Sequence, residues 1–435
     1  MFELKAVSVY DIFIQKRETS SPLKNKLSEG EFLMKKRLLM TSLFALATVA
    51  ATACGGGDQP TKDKETALTP LAEAGAKMTT EELLAEAKKE TGNFYAYGNT
   101  SRISAAMTNF IAKYGTELGL SESNAAGTKK KDSEIFTLLQ SEYDSKDNSK
   151  GASMVLIQDS ATLELYRQSS EMLTNYCSDT FKNKLDEDEL VPLTHQYINK
   201  LFMWNNTGDA APKFTNVWEL LDAKYKDKIY FKSPIAEQVN MNFLITLTNE
   251  NWTKKMTDSY KAFYKKDYVA TKECPTASYA WIKGFLANAD TTSYTSDTKL
   301  GAGLSKAENA GKVGLFVLSK LRDDSVNSKN LTVGAWEAES ITPFAGFMYS
   351  IYAQLVTKAP RPYTAMLFTN YLMTAEGFTP WGGSIGGYSA NSDIKQFEGD
   401  KPLSYYKQHL VIEDGAHINT VKAEMDDWIN GLLVK

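Results

Sequence analysis

Residues Asn93–Arg102 read NFYAYGNTSR, and the fold follows from this stretch. Asn93 to Tyr97 is a short aromatic run of the kind that pairs in a sheet. Gly98-Asn99-Thr100-Ser101-Arg102 is a small polar turn, and Ile103 to Tyr114 then puts Ala106, Phe110 and Ile111 on one helical face. Strand, polar turn and helix make the first βα unit of a doubly wound sheet. Such sheets bind ligands at the carboxyl ends of their strands, where helix N-termini offer free N–H groups. Asn99 and Ser101 can donate hydrogen bonds there and Arg102 can pair an anion. The competing reading, a Ser101 that only caps the helix and a solvated Arg102, stands beside it.

A second unit of the same kind follows. Ala152 to Ile157 reads as a buried parallel strand, Gln158-Asp159-Ser160 as its polar end, and Ala161 to Tyr166 as the start of a helix. Two polar strand ends of one type are less easily accidental than one. Elsewhere, Thr79-Thr80-Glu81-Glu82 opens a helix that Gly92 ends. Residues 124–132 read as a Lys-rich loop, and Ser133 to Tyr143 as a helix capped by Ser133. Strands are expected at Leu201 to Asn205, at Lys228 to Phe231 (ending in Lys232-Ser233-Pro234), at Val313 to Leu318 and at Ile351 to Val356. Helices are expected from Trp218, and over Trp252 to Tyr264, Ser278 to Asn288, Tyr363 to Met373 and Met425 to Leu433. The alternation of strands and helices predicts an α/β chain.

The N-terminal part reads differently. Lys35, Lys36 and Arg37 precede an uncharged, mostly apolar run from Leu38 to Ala53, and the small residues Ala51, Thr52 and Ala53 precede Cys54. The run is short for a span, which needs roughly 20 apolar residues. No basic stop follows, only Gly55-Gly56-Gly57-Asp58, so the layout is that of a cleaved signal. It resembles the bacterial lipobox, which implies that Cys54 takes a diacylglyceryl group and becomes the N-terminus. Ala51 departs from the Leu usual in that motif. The expected organisation is a non-structural segment 1–33, a signal at 34–53 and a flexible tether at 54–77.

Removing Lys35, Lys36 and Arg37 takes the formal net charge from −4 to about −7, a poor match to nucleic acid. Cys177 and Cys274 remain beside Cys54, too far apart in sequence to settle whether they pair. His195, His409 and His417 lack metal-ligand spacing, so neither a metal nor a cofactor is expected. There is no nucleophile elbow and no HExxH motif. Gly382 to Gly387 is rich in glycine but lacks the Lys and hydroxyl residue of a phosphate loop.

Beyond residue 78 the order of pieces is similar to that of bacterial extracellular solute-binding proteins of ABC importers. It most resembles the two-lobed group that includes iron(III), polyamine, thiamine and phosphonate binders. Three segments carry the resemblance: Leu83 to Tyr97; Phe202 to Asn205 with Trp218 and Ile229 to Pro234; and Lys358-Ala359-Pro360 with Ala365, Phe368, Leu372 and Thr374 to Gly377. The resemblance implies a periplasmic-binding-protein type II-like fold. One lobe would take 78–200 and 336–376, and the other 201–335 and 377–435. A small solute would lie between them, closed in by hinge motion. The implied partners are an importer permease, a small-molecule ligand and the membrane through the lipid anchor, for a monomer held outside the cytoplasm in the cell envelope. Asn99, Ser101, Arg102, Gln158, Asp159 and Ser160 would line the cleft from the first lobe, and Lys232, Ser233 and Glu237 from the second. Trp336 and Glu337 would lie near the return crossover, with core packing an equal reading for Trp336. An anionic or zwitterionic organic solute fits Arg102 and Lys232. The alternatives are an iron(III) binder, a surface adhesin and an extracytoplasmic enzyme. The group's iron binders carry adjacent tyrosines after the strand matched by Val313 to Leu318, where this chain has Leu318-Ser319-Lys320-Leu321. Its own pair, Tyr405-Tyr406, lies in another segment.

Overall fold

In chain order the principal strands are β1 (Phe94–Gly98), β2 (Ala125–Lys129), β3 (Ala152–Ile157), β4 (Thr194–Asn205), β5 (Ile229–Phe231), β6 (Ala289–Asp290), β7 (Val313–Val317) and β8 (Gly346–Val356). The computed structural model describes residues 63–209, 213–323, 330–337, 340–383 and 385–434, all within one unit, Thr61–Lys435. The upstream segment, the signal and Cys54 lie outside the described residues. One sheet runs in the order β2-β1-β3-β8-β4-β7-β5-β6, with short strands at Leu173–Thr174, Leu331–Val333, Tyr388–Ser389 and Val411–Ile412 attached to it.

The register makes two halves of this sheet. β1, β2 and β3 run parallel on one side, and β5, β6 and β7 on the other. The long strands β4 and β8 pair antiparallel between them, from Gly346 opposite Leu201 to Tyr352 opposite Thr194. β3 ends with Ile157 against Tyr352, and β7 ends with Val317 against Lys200, itself opposite Phe347. The two parallel sets therefore point their carboxyl ends at each other, over the middle of the β4–β8 pair.

The principal helices are α1 (Thr69–Ala76), α2 (Thr80–Ala87), α3 (Arg102–Leu118), α4 (Asp132–Asp144), α5 (Ser160–Ser169), α6 (Gln238–Thr246), α7 (Glu250–Tyr264), α8 (Ala277–Asn288), α9 (Asp297–Leu304), α10 (Pro362–Leu372), α11 (Ala375–Gly382) and α12 (Gly415–Leu433). Aromatic side chains fill the core of each half. Phe368 of α10 meets Phe94 and Phe110 at centroid distances of 5.6 and 5.0 Å, and Trp281 stacks on Phe285 at 4.6 Å. The Glu90 carboxylate accepts from the Tyr363 and Thr364 N–H groups at 2.7 and 2.9 Å, which satisfies the start of α10. α12 packs on both α5 and α6, so the C-terminal helix bridges the halves.

Several elements differ from the sequence reading. Residues 125–129, read as loop, form β2; Ala-Ala-Gly-Thr-Lys has little strand propensity, and the pairing with β1 decides. α4 opens at Asp132, with Ser133 inside it rather than capping it. β4 and β8 begin well before the expected residues: the polar first half of β4 is buried too, and Gly346 to Tyr349 of β8 are buried in pairing with it. α6 is buried from Val239 to Thr246 and so carries no amphipathic period. Part of the expected tether is ordered: Thr69–Ala76 is helical, and Lys64 donates its N–H to Arg167 O at 2.9 Å. α11 packs on α3, which carries the first half beyond residue 376. Cys177 and Cys274 are free thiols.

Gly346 opens β8 with φ +148°, and a Cβ there would run into Lys200 O of β4. Gly346→Ala is expected to cost more than ~2 kcal/mol in urea unfolding by forcing the crossing strands apart. Phe368→Ala should cost ~3–5 kcal/mol through its cavity. A Gly346→Ala protein as stable as the parent would contradict the close strand approach.

Candidate functional site

Side chains alternate along a strand, so Lys200 of β4 and Phe347 and Tyr349 of β8 share one face of the crossing pair. That face receives a buried set of charges. Lys232, at the end of β5, pairs with Glu237 at 2.6 Å and with Asp297 at 3.1 Å. Lys200, with no exposed surface, reaches Asn240 Oδ1 at 2.8 Å, Glu237 at 3.4 Å and Asp297 at 3.5 Å. Asn240 in turn donates to Lys232 O at 2.6 Å. Burial pushes the Asp297 carboxyl up, but Lys200 and Lys232 outweigh it and hold the group below its ordinary range. Burial pushes the Lys232 ammonium down, and Asp297 and Glu237 more than reverse that.

The first half faces this network with acids of its own. Asp132 Oδ2 accepts from the Gln158 N–H at 3.0 Å and the Asp159 N–H at 2.7 Å, which fixes the turn between β3 and α5. Asp159 caps α5, accepting from Thr162 N at 3.2 Å and Thr162 Oγ1 at 2.6 Å. Glu413 is held beside β8 by its N–H donating to Met348 O at 3.1 Å. Asn242 of α6 crosses between the halves by donating to Asp159 Oδ1 at 3.4 Å, and it also donates to Glu413 Oε1, whose neighbours Asp414 and His417 are bonded to Asn249 and Thr248. Burial first, then Asp159, raises Asp132 to about 8. Burial raises Glu413 to about 8 as well; the Asn242 bond lowers it in part and Asp159 raises it further. The Tyr349 hydroxyl, buried among these carboxylates, is held well above its ordinary value, first by burial and then by Glu237.

Most of the residues expected from the sequence meet here. Asn99 donates to Gln158 Oε1 at 2.5 Å, tying the two strand-end turns together. Asp159, Ser160, Lys232 and Glu237 lie in or beside the cluster, and Ser233 accepts through its carbonyl from Ala236 and Glu237 in the turn before α6. Ser101 is exposed and makes no side-chain cap; Arg102 is half-buried with Nη2 lacking a partner. Trp336 and Glu337 are not brought in. They follow the short strand that pairs with the far end of β4, where Trp336 is 37% exposed and donates to Tyr406 OH at 3.0 Å. Tyr405 and Tyr406 are spent on packing, with Tyr405 donating to Ala335 O and Tyr406 to Asp400 at 3.1 Å. Among the described residues no group of three or more His, Cys, Asp or Glu is arranged to hold a metal ion.

The sequence reading missed Asp132, Lys200, Asn240, Asn242, Asp297, Tyr349 and Glu413. A usable signal existed for two of them. Asn240 and Asn242 interrupt the apolar run from Val239 to Ile245, and buried amides need partners.

No family model matches the chain, and no curated protein matches it either. Solved structures do. A Trichodesmium protein, IdiA (FutA), in complex with iron and citrate is 17% identical, with a TM-score of 0.51 over 79% of this chain and 100% of that one. The ferric binding protein of Campylobacter jejuni is 14% identical, with a TM-score of 0.56 over 78% and 99%. The periplasmic binding protein AfuA of Actinobacillus pleuropneumoniae, with fructose-6-phosphate bound, is 15% identical, with a TM-score of 0.55 over 79% and 100%. The fold is thus that of the type II periplasmic binding proteins.

The raised carboxyls make stability depend on pH. Unfolded carboxyls titrate near 4, so between about pH 4 and 8 the folded chain holds protons that the unfolded chain has released. Stability should then fall as pH rises through that window. The unliganded protein should be less stable at pH 8.5 than at pH 5.5 by at least ~2 kcal/mol from these two groups. The Asp132→Asn/Glu413→Gln protein should lose most of that slope. Equal slopes for the two proteins would refute the assignment.

Proposed function

We propose that this chain is the solute-binding component of an ABC importer. It takes a small solute between the two halves of the sheet and presents it to a membrane permease. One observation carries the reading: the parallel strands of both halves, with their helix N-termini, aim at a single buried polar cluster over the crossing strands. Ligands of open α/β sheets bind at such strand ends. The likeness in fold to binding proteins solved with iron and citrate or with fructose-6-phosphate supports the same placement.

The contact between halves is of a kind that can open. Asn242–Asp159 is a polar link, and hinge motion would turn the two crossing strands and shift α12 against α5 or α6. Binding requires no bond to be made or broken. The lines of the site are Asn99, Gln158, Asp159 and Ser160 against Lys232, Ser233 and Glu237, with Ser101 and Arg102 at the rim. The chain acts as a monomer outside the cytoplasm. Its tether is held to the membrane by the lipid on Cys54, which the basic, apolar and small-residue order from Lys35 to Cys54 supports.

Two outcomes are expected. Cys54→Ser should abolish palmitate labelling in cells and release the protein from the membrane fraction; labelling that persists would refute the anchor. Native mass spectrometry of protein purified under gentle conditions should find one small molecule bound per chain, and refilling the stripped protein with it should raise Tm by several degrees. A protein that never carries a solute, and whose Tm no metabolite pool moves, would refute the binding role.

A further inference from the structure

Resting on the reading of the cleft as a solute site, we infer that the solute is an organic cation, which presents an ammonium, amidinium or guanidinium group to the carboxylates of Asp132, Asp159 and Glu413. The charge balance is the first ground. Five buried or half-buried carboxylates face two ammonium groups, and both ammonium groups are taken by Glu237 and Asp297. Asp132, Asp159 and Glu413 are left with neutral donors only, the Asn242 amide, the Thr162 hydroxyl and backbone N–H groups.

The second ground is independent of the count. Asp132 is 8% exposed and its Oδ1 has no hydrogen-bond partner. Ser160 is 7% exposed, and its hydroxyl lies beside Glu413 without a bond of ordinary geometry, while Glu413 Oε2 has no partner either. The atoms left over on Asp132, Glu413 and Ser160 are acceptors, or a hydroxyl that can accept, and a buried acceptor costs free energy until a donor reaches it; Arg102 Nη2, at the start of α3, is a partnerless donor outside this set.

The helix termini point the same way. An anion would normally be taken at a helix N-terminus. Here the protein's own carboxylates occupy those ends: Asp132 opens α4, Asp159 caps α5, Glu237 precedes α6, Asp297 opens α9 and Glu413 precedes the Asp414 cap of α12. A solute that meets this cluster meets acceptors. A bare metal ion is disfavoured by the lack, among the described residues, of any suitable three-residue acidic, Cys or His set.

Binding should also release protons. Asp132 faces Asp159 and Glu237; Glu413 faces Asp159 and Asp132, with Tyr349 and Tyr352 of β8 close by. Asp414 and His417 of α12 are engaged with Asn249 and Thr248. A cation set among Asp132 and Glu413 displaces the protons that burial keeps on them, so its affinity rises with pH.

The test is calorimetric titration of the full mature chain with two panels. One holds organic cations: mono- and diamines, amidines, guanidines, quaternary ammonium compounds and basic amino acids. The other holds organic anions, with fructose-6-phosphate and citrate among them. At least one cation should bind, about tenfold or more tighter at pH 8.5 than at pH 6. Glu413→Gln should weaken it roughly 10- to 100-fold and flatten the pH dependence. If that variant folds poorly, the pH profile of the parent still decides. Binding of an anion but of no cation would overturn this inference and leave the solute-binding role standing. A cation whose affinity ignores both pH and Glu413→Gln would overturn the site. Binding by neither panel would overturn this inference, and the solute-binding role would fall with it only if no co-purifying solute and no neutral metabolite binds either.

Discussion

The antiparallel pairing of β4 with β8 is the constraint on which the rest depends. Each parallel half of the sheet ends on that pair, and each ends from the opposite direction, at Tyr352 for β3 and at Lys200 for β7. Parallel strands put their helices after their carboxyl ends, so two sets of helix N-termini converge without any further instruction. Aromatic contacts around Phe368 and around Trp281 lie on either side of that pair. On the proposed function, a bend in the pair would swing one half against the other, with α12, packed on α5 and α6, moving as it does so.

Electrostatics then decides what that convergence is for. Taking charges out of water is expensive unless each is paired and hydrogen-bonded. The second half solves this internally, since Lys200 and Lys232 are interlocked with Glu237, Asp297 and Asn240. The first half does not. Asp132 and Glu413 stay above their ordinary range, mainly through burial and then through neighbouring acids, offset in part by hydrogen bonds from backbone N–H groups and Asn242. A closed arrangement with unbalanced acids is weakened as pH rises, and a bound donor would relieve it. On the proposed function, solute capture and lobe closure would in that sense be the same electrostatic event.

How much was legible in the sequence follows from the same physics. The turns at Asn99–Arg102 and Gln158–Ser160 could be read because each stands between an apolar strand and an amphipathic helix, and the structure ties them together through Asn99 and Gln158. Lys232 could be read because it closes a strand, and Glu237 because it follows that strand end and precedes α6. Asp132 was hidden behind β2, whose residues have little strand propensity and which exists through pairing with β1. Lys200 was hidden in the polar half of β4, since burial on both faces there comes from tertiary packing that no local pattern records. Glu413 precedes a helix whose first turns lack a clear apolar stripe. Trp336 lies away from the cluster, and the sequence left both readings open for the opposite reason. An aromatic near a crossover fits a cleft as readily as a rim, and its partner Tyr406 is 70 residues away in the chain.

The central claim is that the two halves close on a solute over the crossing strands. Small-angle X-ray scattering of the mature protein, stripped of small molecules and then saturated with the solute that co-purifies with it, tests this most directly. The account predicts a smaller radius of gyration on saturation, reversed when the solute is removed. An unchanged radius with the solute demonstrably bound would contradict it.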